Sequence, residues 1–156
     1  MSLENLNVAA AYEIGIDWSC YYTKAIIAPT LYEINKYYDF TWTQILILEL
    51  LLREKQLHMS EAARRIAIPP QNLTKTVDAM AASSLIVRAP DEENRRLVYI
   101  HLTPKGVSVA THCNKIREKF YKTQFERILD NEQQKDLLNV LRKLDNMLKI
   151  VEQSKE

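Results

Sequence analysis

Only one stretch of this chain departs from helical periodicity, and it limits the possible folds more than any other feature. Leu85-Ile86-Val87-Arg88 and Leu97-Val98-Tyr99-Ile100-His101-Leu102 are aliphatic or β-branched runs of strand length, separated by a charged loop from Ala89 to Arg96. The long segments on either side carry the three-and-four spacing of amphipathic helices. One hairpin in a helical chain excludes sandwiches and barrels, which need many strands. Glycine scarcity agrees, since Gly15 and Gly106 are the only two, and it leaves no Gly-rich phosphate loop. The expected fold is mainly α with a small two-stranded β-hairpin.

At 156 residues, with 47% hydrophobic and 26% charged side chains, the chain has the size and composition of one globular domain. Cys20 and Cys113 are too few for a disulfide scaffold and lack metal-finger spacing. The most apolar run, Ile45 to Leu52, contains Glu49 and is too short to cross about 30 Å of hydrocarbon. The first residues lack the basic and apolar regions of a signal peptide, so a soluble cytoplasmic protein with no membrane partner is expected. The formal charge of +1 hides an asymmetry: residues 1–52 carry −4, residues 53–105 carry +3 and residues 106–156 carry +2. A basic middle suits a segment that binds a polyanion.

Residues 8–38 read as helical, with Tyr12, Ile16, Cys20, Ile27, Leu31 and Ile34 along one side and Pro29 expected to kink or divide them. Thr41-Trp42-Thr43 precedes a helix to about Arg53. Ser60 is expected to cap a short helix to about Ile66, and Glu61 suits its first turn. Pro69-Pro70 opens a helix to about Ser83, with Leu73, Val77 and Met80 on one side. Thr103-Pro104 opens a helix to about 129. In the last segment, Leu137, Leu141, Leu144, Leu148 and Val151 form a heptad seam, which fits either packing within the chain or a dimer interface. Three regions follow: 1–40, 41–105 and 106–156.

The order helix, short helix, helix, hairpin, helix contains a helix-turn-helix unit followed by a charged wing. The second helix of such a unit enters the DNA major groove with its N-terminal residues toward the bases. Here these are Gln71, Asn72, Thr74 and Lys75. Gln and Asn bond adenine edges, Thr bonds either base or meets a thymine methyl, and Lys reaches guanine or phosphate. Gln71 equally suits a capping role. Arg95 and Arg96 at the wing tip suit a phosphate backbone or a minor groove. Arg64 and Arg65 read as phosphate contacts or as a solvated helix face, and the acids at 91–93 as solvated loop.

The residues from Leu57 to Gly106, about a third of the chain, resemble the winged helix-turn-helix of the MarR family of bacterial transcription regulators. The resemblance rests on Ser60-Glu-Ala-Ala-Arg-Arg-Ile-Ala67, Asn72-Leu-Thr-Lys-Thr-Val-Asp78, Leu85-Ile-Val-Arg88, Asn94-Arg-Arg96 and Leu102-Thr-Pro-Lys-Gly106. It implies a homodimeric regulator, expected to be a repressor, that binds a pseudo-palindromic DNA duplex and dimerises through its terminal helices. Asn72, Thr74 and Lys75 match recognition-helix positions, and Arg96 matches the wing arginine that reaches the minor groove. Ser60, Gln71, Arg88 and Arg95 complete the expected DNA contacts. Three positions depart from the pattern. Asn94 replaces the wing Asp, Ala79 stands where an arginine is common, and Ser84 takes the place of the Gly after the recognition helix. A winged helix used for protein interaction, with weak or no specific DNA binding, is the alternative that these departures favour.

The resemblance also implies a small aromatic or anionic effector. Trp18, Tyr22 and Trp42 are the candidate effector contacts among the aromatics concentrated between residues 18 and 42, for any one of which a dimer or interlobe core is the favoured role. Some relatives sense oxidants through a thiol, and Cys20 is the candidate here. Its surroundings, with Lys24 the nearest basic residue, favour a buried inert cysteine over a sensor. His112-Cys113 cannot complete a metal site alone, and His58 and His101 read as loop and strand positions. No nucleophile elbow, phosphate loop or metal-ligand pair is present, so no cofactor and no enzyme activity are expected.

Overall fold

The structure, a computed structural model, describes the backbone of residues 8–91 and 97–153, and the side chains of 15–91 and 97–153 other than Glu152. Two compact units divide the chain, Met1–Glu118 and Lys119–Glu156.

The first unit begins with α1 (Val8–Tyr22), a π-helical turn (Thr23–Ile27) and α2 (Ala28–Asn35). Pro29 lies in the first turn of α2 and divides the stretch as expected. Proline lacks an N–H to donate to the preceding turn, and the chain widens there. α3 (Trp42–Glu54) starts at a capping box in which Thr41 Oγ1 accepts from Gln44 N (3.3 Å) and Gln44 Oε1 accepts from Thr41 N (2.8 Å).

Next comes β1 (Gln56–His58), a strand that sequence reading misses because three residues show no alternation. It makes the wing three-stranded, in the order β1-β3-β2, with β2 (Ile86–Pro90) and β3 (Val98–Leu102) antiparallel as expected. The strand runs straight into α4 (Met59–Arg65), so His58, not Ser60, stands at the cap position. That cap makes no side-chain bond, and Ser60 lies inside the first turn.

α5 (Pro70–Ala82) opens at Pro70 as expected. Both α4 and α5 end in Schellman caps without glycine. Ile68 N donates to Ala63 O (3.1 Å) around Ala67 at φ 53°, and Leu85 N donates to Met80 O (2.9 Å) around Ser84 at φ 58°. A left-handed non-Gly residue costs about 1–2 kcal/mol, which the surrounding packing offsets. At Ser84 that packing is visible. Leu85 and Met80 are both buried, in one core with Leu48 and Leu51 of α3, Ala62 of α4, Leu73 and Val77 of α5, and Ile100 of β3.

α6 (Pro104–Ile128) starts against this same turn. Thr103 Oγ1 accepts from Gly106 N (2.9 Å) and donates to Ser84 O (2.7 Å), while Lys105 Nζ donates to Ser83 O (2.9 Å). The Leu-Thr-Pro-Lys-Gly segment therefore caps α6 and clamps the end of α5 in one step. A smaller core joins Ile34 of α2, Ile45 of α3 and Cys113 of α6.

The second unit holds the end of α6, where Tyr121 packs against Phe120 and Phe125, and α7 (Asn131–Gln153). Asp130 caps α7 by accepting from Glu132 N and Gln133 N (2.9 and 2.8 Å). Along the seam, Leu141, Leu148 and Val151 are 45%, 58% and 52% exposed, an apolar stripe on α7. Among the described residues, no helix is long and apolar enough to cross a membrane.

Candidate nucleic-acid interface

α5 separates its residues by face. Leu73, Val77 and Met80 are buried, whereas Gln71, Asn72, Thr74 and Lys75 of its first two turns are exposed. This split follows from the period of 3.6, because the apolar residues at 73, 77 and 80 fix which side meets the core. The N-terminal half of α5 therefore offers two amides, a hydroxyl and an ammonium outward. Thr74 Oγ1 donates to Pro70 O (3.0 Å), which leaves the hydroxyl oxygen's lone pairs available as acceptors.

The base of the wing closes against this helix. Ser60, Thr74 and Arg88 line one concavity of about 330 Å³, together with His58, Met59, Leu97 and Val98. Three residues far apart in sequence are thus brought together at the junction of α4, α5 and the sheet. His58 stacks on Tyr99, its antiparallel register partner, with ring centroids 3.8 Å apart. Arg95, Arg96 and Asn94 lie outside the described residues.

The arginines of α4 are held within the chain. Arg64 pairs with Glu61 (3.0 Å), and Arg65 pairs with both Glu61 and Glu54 (2.7 Å each). The guanidiniums of Arg64 and Arg65 hold the Glu61 carboxyl below the usual carboxylate range. Arg88 Nη2 lies 2.9 Å from Asp78 Oδ1 and donates to Thr74 O (3.2 Å). Asp78 was not singled out from the sequence, because a lone carboxylate in a charged helix carries no signal until its cross-element partner is known.

The aromatic candidates occupy two places. Trp18 and Tyr22 stack on one another within α1, 5.2 Å apart, as a one-turn spacing allows. Trp42 is half-buried on α3 with the Arg117 guanidinium 5.8 Å from its ring, and Arg117 pairs with Glu49. His112 is engaged by the Tyr38 hydroxyl at 2.7 Å. Among the described residues, no three His, Cys, Asp or Glu side chains gather as a metal site would require.

The cysteines reverse one expectation. Cys20 is exposed, not buried, because the side of α1 that carries it packs on no core of this chain, and Cys113 is the buried thiol. Burial pushes the Cys113 thiol up to about 11 from an ordinary value of 9.0, with Arg117 opposing. The folded thiol keeps its proton longer than the unfolded one, so this contribution to stability is intact below pH 9 and is lost as pH rises toward 11. An alkylating reagent at neutral pH is expected to label Cys20 within minutes and to reach Cys113 only after unfolding. Mass mapping of the labelled peptides checks this, and equal labelling of both in the folded protein would contradict it.

Comparison with known proteins gives this geometry its context. A MarR-family model matches residues 38–97, from before α3 through the wing loop. The HTH-type transcriptional regulator YpoP of Bacillus subtilis, itself uncharacterized, is 27% identical over 115 residues, 72% of this chain and 81% of that protein. A MarR family protein structure from Bacillus stearothermophilus superimposes with a TM-score of 0.73 at 24% identity, covering 93% of this chain and 98% of that one. The structure of Bordetella bronchiseptica BpsR, whose DNA binding is regulated by 6-hydroxynicotinic acid, gives 0.66 at 18% identity over 85% and 98%. The matched segment covers the helix-turn-helix and β2 and ends before β3, and the regulator relatives extend beyond it. Residues 38–97 thus match the MarR family of transcriptional regulators, and the fold is that of MarR-family winged-helix structures.

Proposed function

We propose that this protein is a sequence-specific duplex-binding regulator, acting in the cytoplasm as a homodimeric and effector-responsive repressor. The observation that carries this reading is the exposed row Gln71, Asn72, Thr74 and Lys75 at the N-terminal half of α5, with Arg88 of β2 against the same helix. Two such helices fit successive major grooves of a pseudo-palindromic site, about one helical turn apart. Asn72 and Gln71 read base edges. Ser60, Thr74, Lys75, Arg95 and Arg96 complete the contacts to bases and backbone, with Arg96 in the minor groove. The exposed stripe on α7 supports the dimer. An aromatic or anionic effector held by Trp18, Tyr22 and Trp42 favours a lobe spacing that no longer fits DNA. The aromatic acid named for BpsR is consistent with that chemistry.

Two single substitutions test the reading. Asn72→Ala is expected to reduce discrimination between a selected duplex and its base-changed version by roughly tenfold, the scale of one bidentate base contact. Arg96→Ala is expected to weaken all duplexes alike and to flatten the salt dependence of binding by about one unit of slope. Competition binding at two salt concentrations measures both. If both variants bind like the parent, α5 and the wing are not the interface.

The exposure of Cys20 favours a second reading, in which the regulator responds to oxidants through this thiol. Peroxide is then expected to abolish duplex binding by the parent and to spare Cys20→Ser. Undiminished binding by the treated parent removes this reading.

A further inference from the structure

We infer that Arg88 is a positioning residue that locks the recognition helix to the wing, and that its partner Asp78 is part of the same device. The inference rests on the reading of α5 as the helix that enters the groove. Arg88 lies on β2 opposite Ile100 of β3, and its guanidinium crosses to α5. There a single nitrogen, Nη2, meets Asp78 Oδ1 at 2.9 Å and the Thr74 carbonyl at 3.2 Å. Residues 74 and 78 are one helical turn apart, so one planar guanidinium fixes both the rotation of α5 about its axis and its distance from β2. Helix and wing then present their contacts as one body.

Asp78 is otherwise hard to reconcile with the surface it occupies. It is exposed on α5, in the helix whose outer residues would face phosphates, where an unpaired carboxylate repels DNA. The ion pair with Arg88 neutralises it and turns a liability into an anchor. The neighbouring substituents agree with this role. Thr74 Oγ1 and Thr76 Oγ1 donate to backbone carbonyls of their own helix, so neither hydroxyl competes as a donor for the Asp78 carboxylate.

The two possible roles of Arg88 predict opposite results for Asp78→Asn. If Arg88 acts by touching phosphate, removing a negative charge from α5 strengthens binding to every duplex, and selectivity is kept. If Arg88 acts by positioning, Asp78→Asn and Arg88→Gln both reduce the preference for a selected duplex over a scrambled one. A change on the order of threefold or more is expected for two residues coupled by direct contact. The double variant Asp78→Asn with Arg88→Gln is expected to lose little more than the worse single variant, because either change already breaks the pair. Amide hydrogen exchange of the DNA-free protein supplies an independent readout: both single variants speed exchange within α5. Unchanged α5 exchange in both single variants overturns the inference, as does tighter binding of all duplexes by Asp78→Asn with selectivity intact. A parent that prefers no duplex contradicts the DNA reading alone, while the exchange measurement still decides whether Arg88 and Asp78 hold the helix.

Discussion

Gly106→Ala is expected to destabilise the first unit by about 3–5 kcal/mol, at the severe end of single substitutions. A Cβ at this position would sit 2.0 Å from the Leu85 carbonyl oxygen and 3.0 Å from its carbon, both backbone atoms that cannot swing aside. That carbonyl accepts from Thr103 N (3.0 Å), and Thr103 in turn caps Gly106 N and bonds Ser84 O. Forcing the two segments apart therefore disturbs the start of α6 and the end of α5 together. With a urea slope of about 1–3 kcal/mol per molar, the unfolding midpoint should fall by roughly 2 M. Gly15→Ala is the control. Nothing lies within 4 Å of its added Cβ, and in α1 the exchange should stabilise by up to about 1 kcal/mol. Equal midpoints for Gly106→Ala and the parent would show that α6 does not start against Leu85.

The second large effect is expected from Leu141→Glu combined with Leu148→Glu. Both leucines are about half exposed in the single chain, so the charges cost the isolated fold little. In the proposed homodimer they would face a partner's apolar stripe, and carboxylates buried there without partners are strongly destabilising. Sedimentation should report a monomer where the parent is a dimer. Duplex affinity should fall by about 10²–10⁴, because the second half-site contact is no longer intramolecular. A variant that remains dimeric would move the interface away from α7.

Most of the fold was legible because the signals were local. Pro29, Thr41-Trp42-Thr43, Pro70 and Thr103-Pro104 act through rules that span a single turn, and the elements begin or divide at or beside them. What escaped was decided by tertiary contact. Ala67 and Ser84 carry left-handed caps that sequence rules give to glycine. The three-residue strand β1 exists because β3 pairs with it, and its presence moves the start of α4 away from Ser60. The site divided in the same way. The outward residues of α5 follow from helical spacing, whereas the Arg88–Asp78 pair joins two elements whose facing surfaces no local pattern announces. Cys20 was expected inside because no Lys or Arg lies within three residues of it, and the structure leaves it exposed.

The central claim is that α5 and the wing read a DNA sequence. Selection of bound duplexes from a random pool by the protein at near-physiological salt tests it most directly. The account predicts enrichment of a two-fold symmetric site whose half-sites lie about one helical turn apart. Recovery of duplexes with no shared sequence, held only by salt-sensitive contacts, would contradict it.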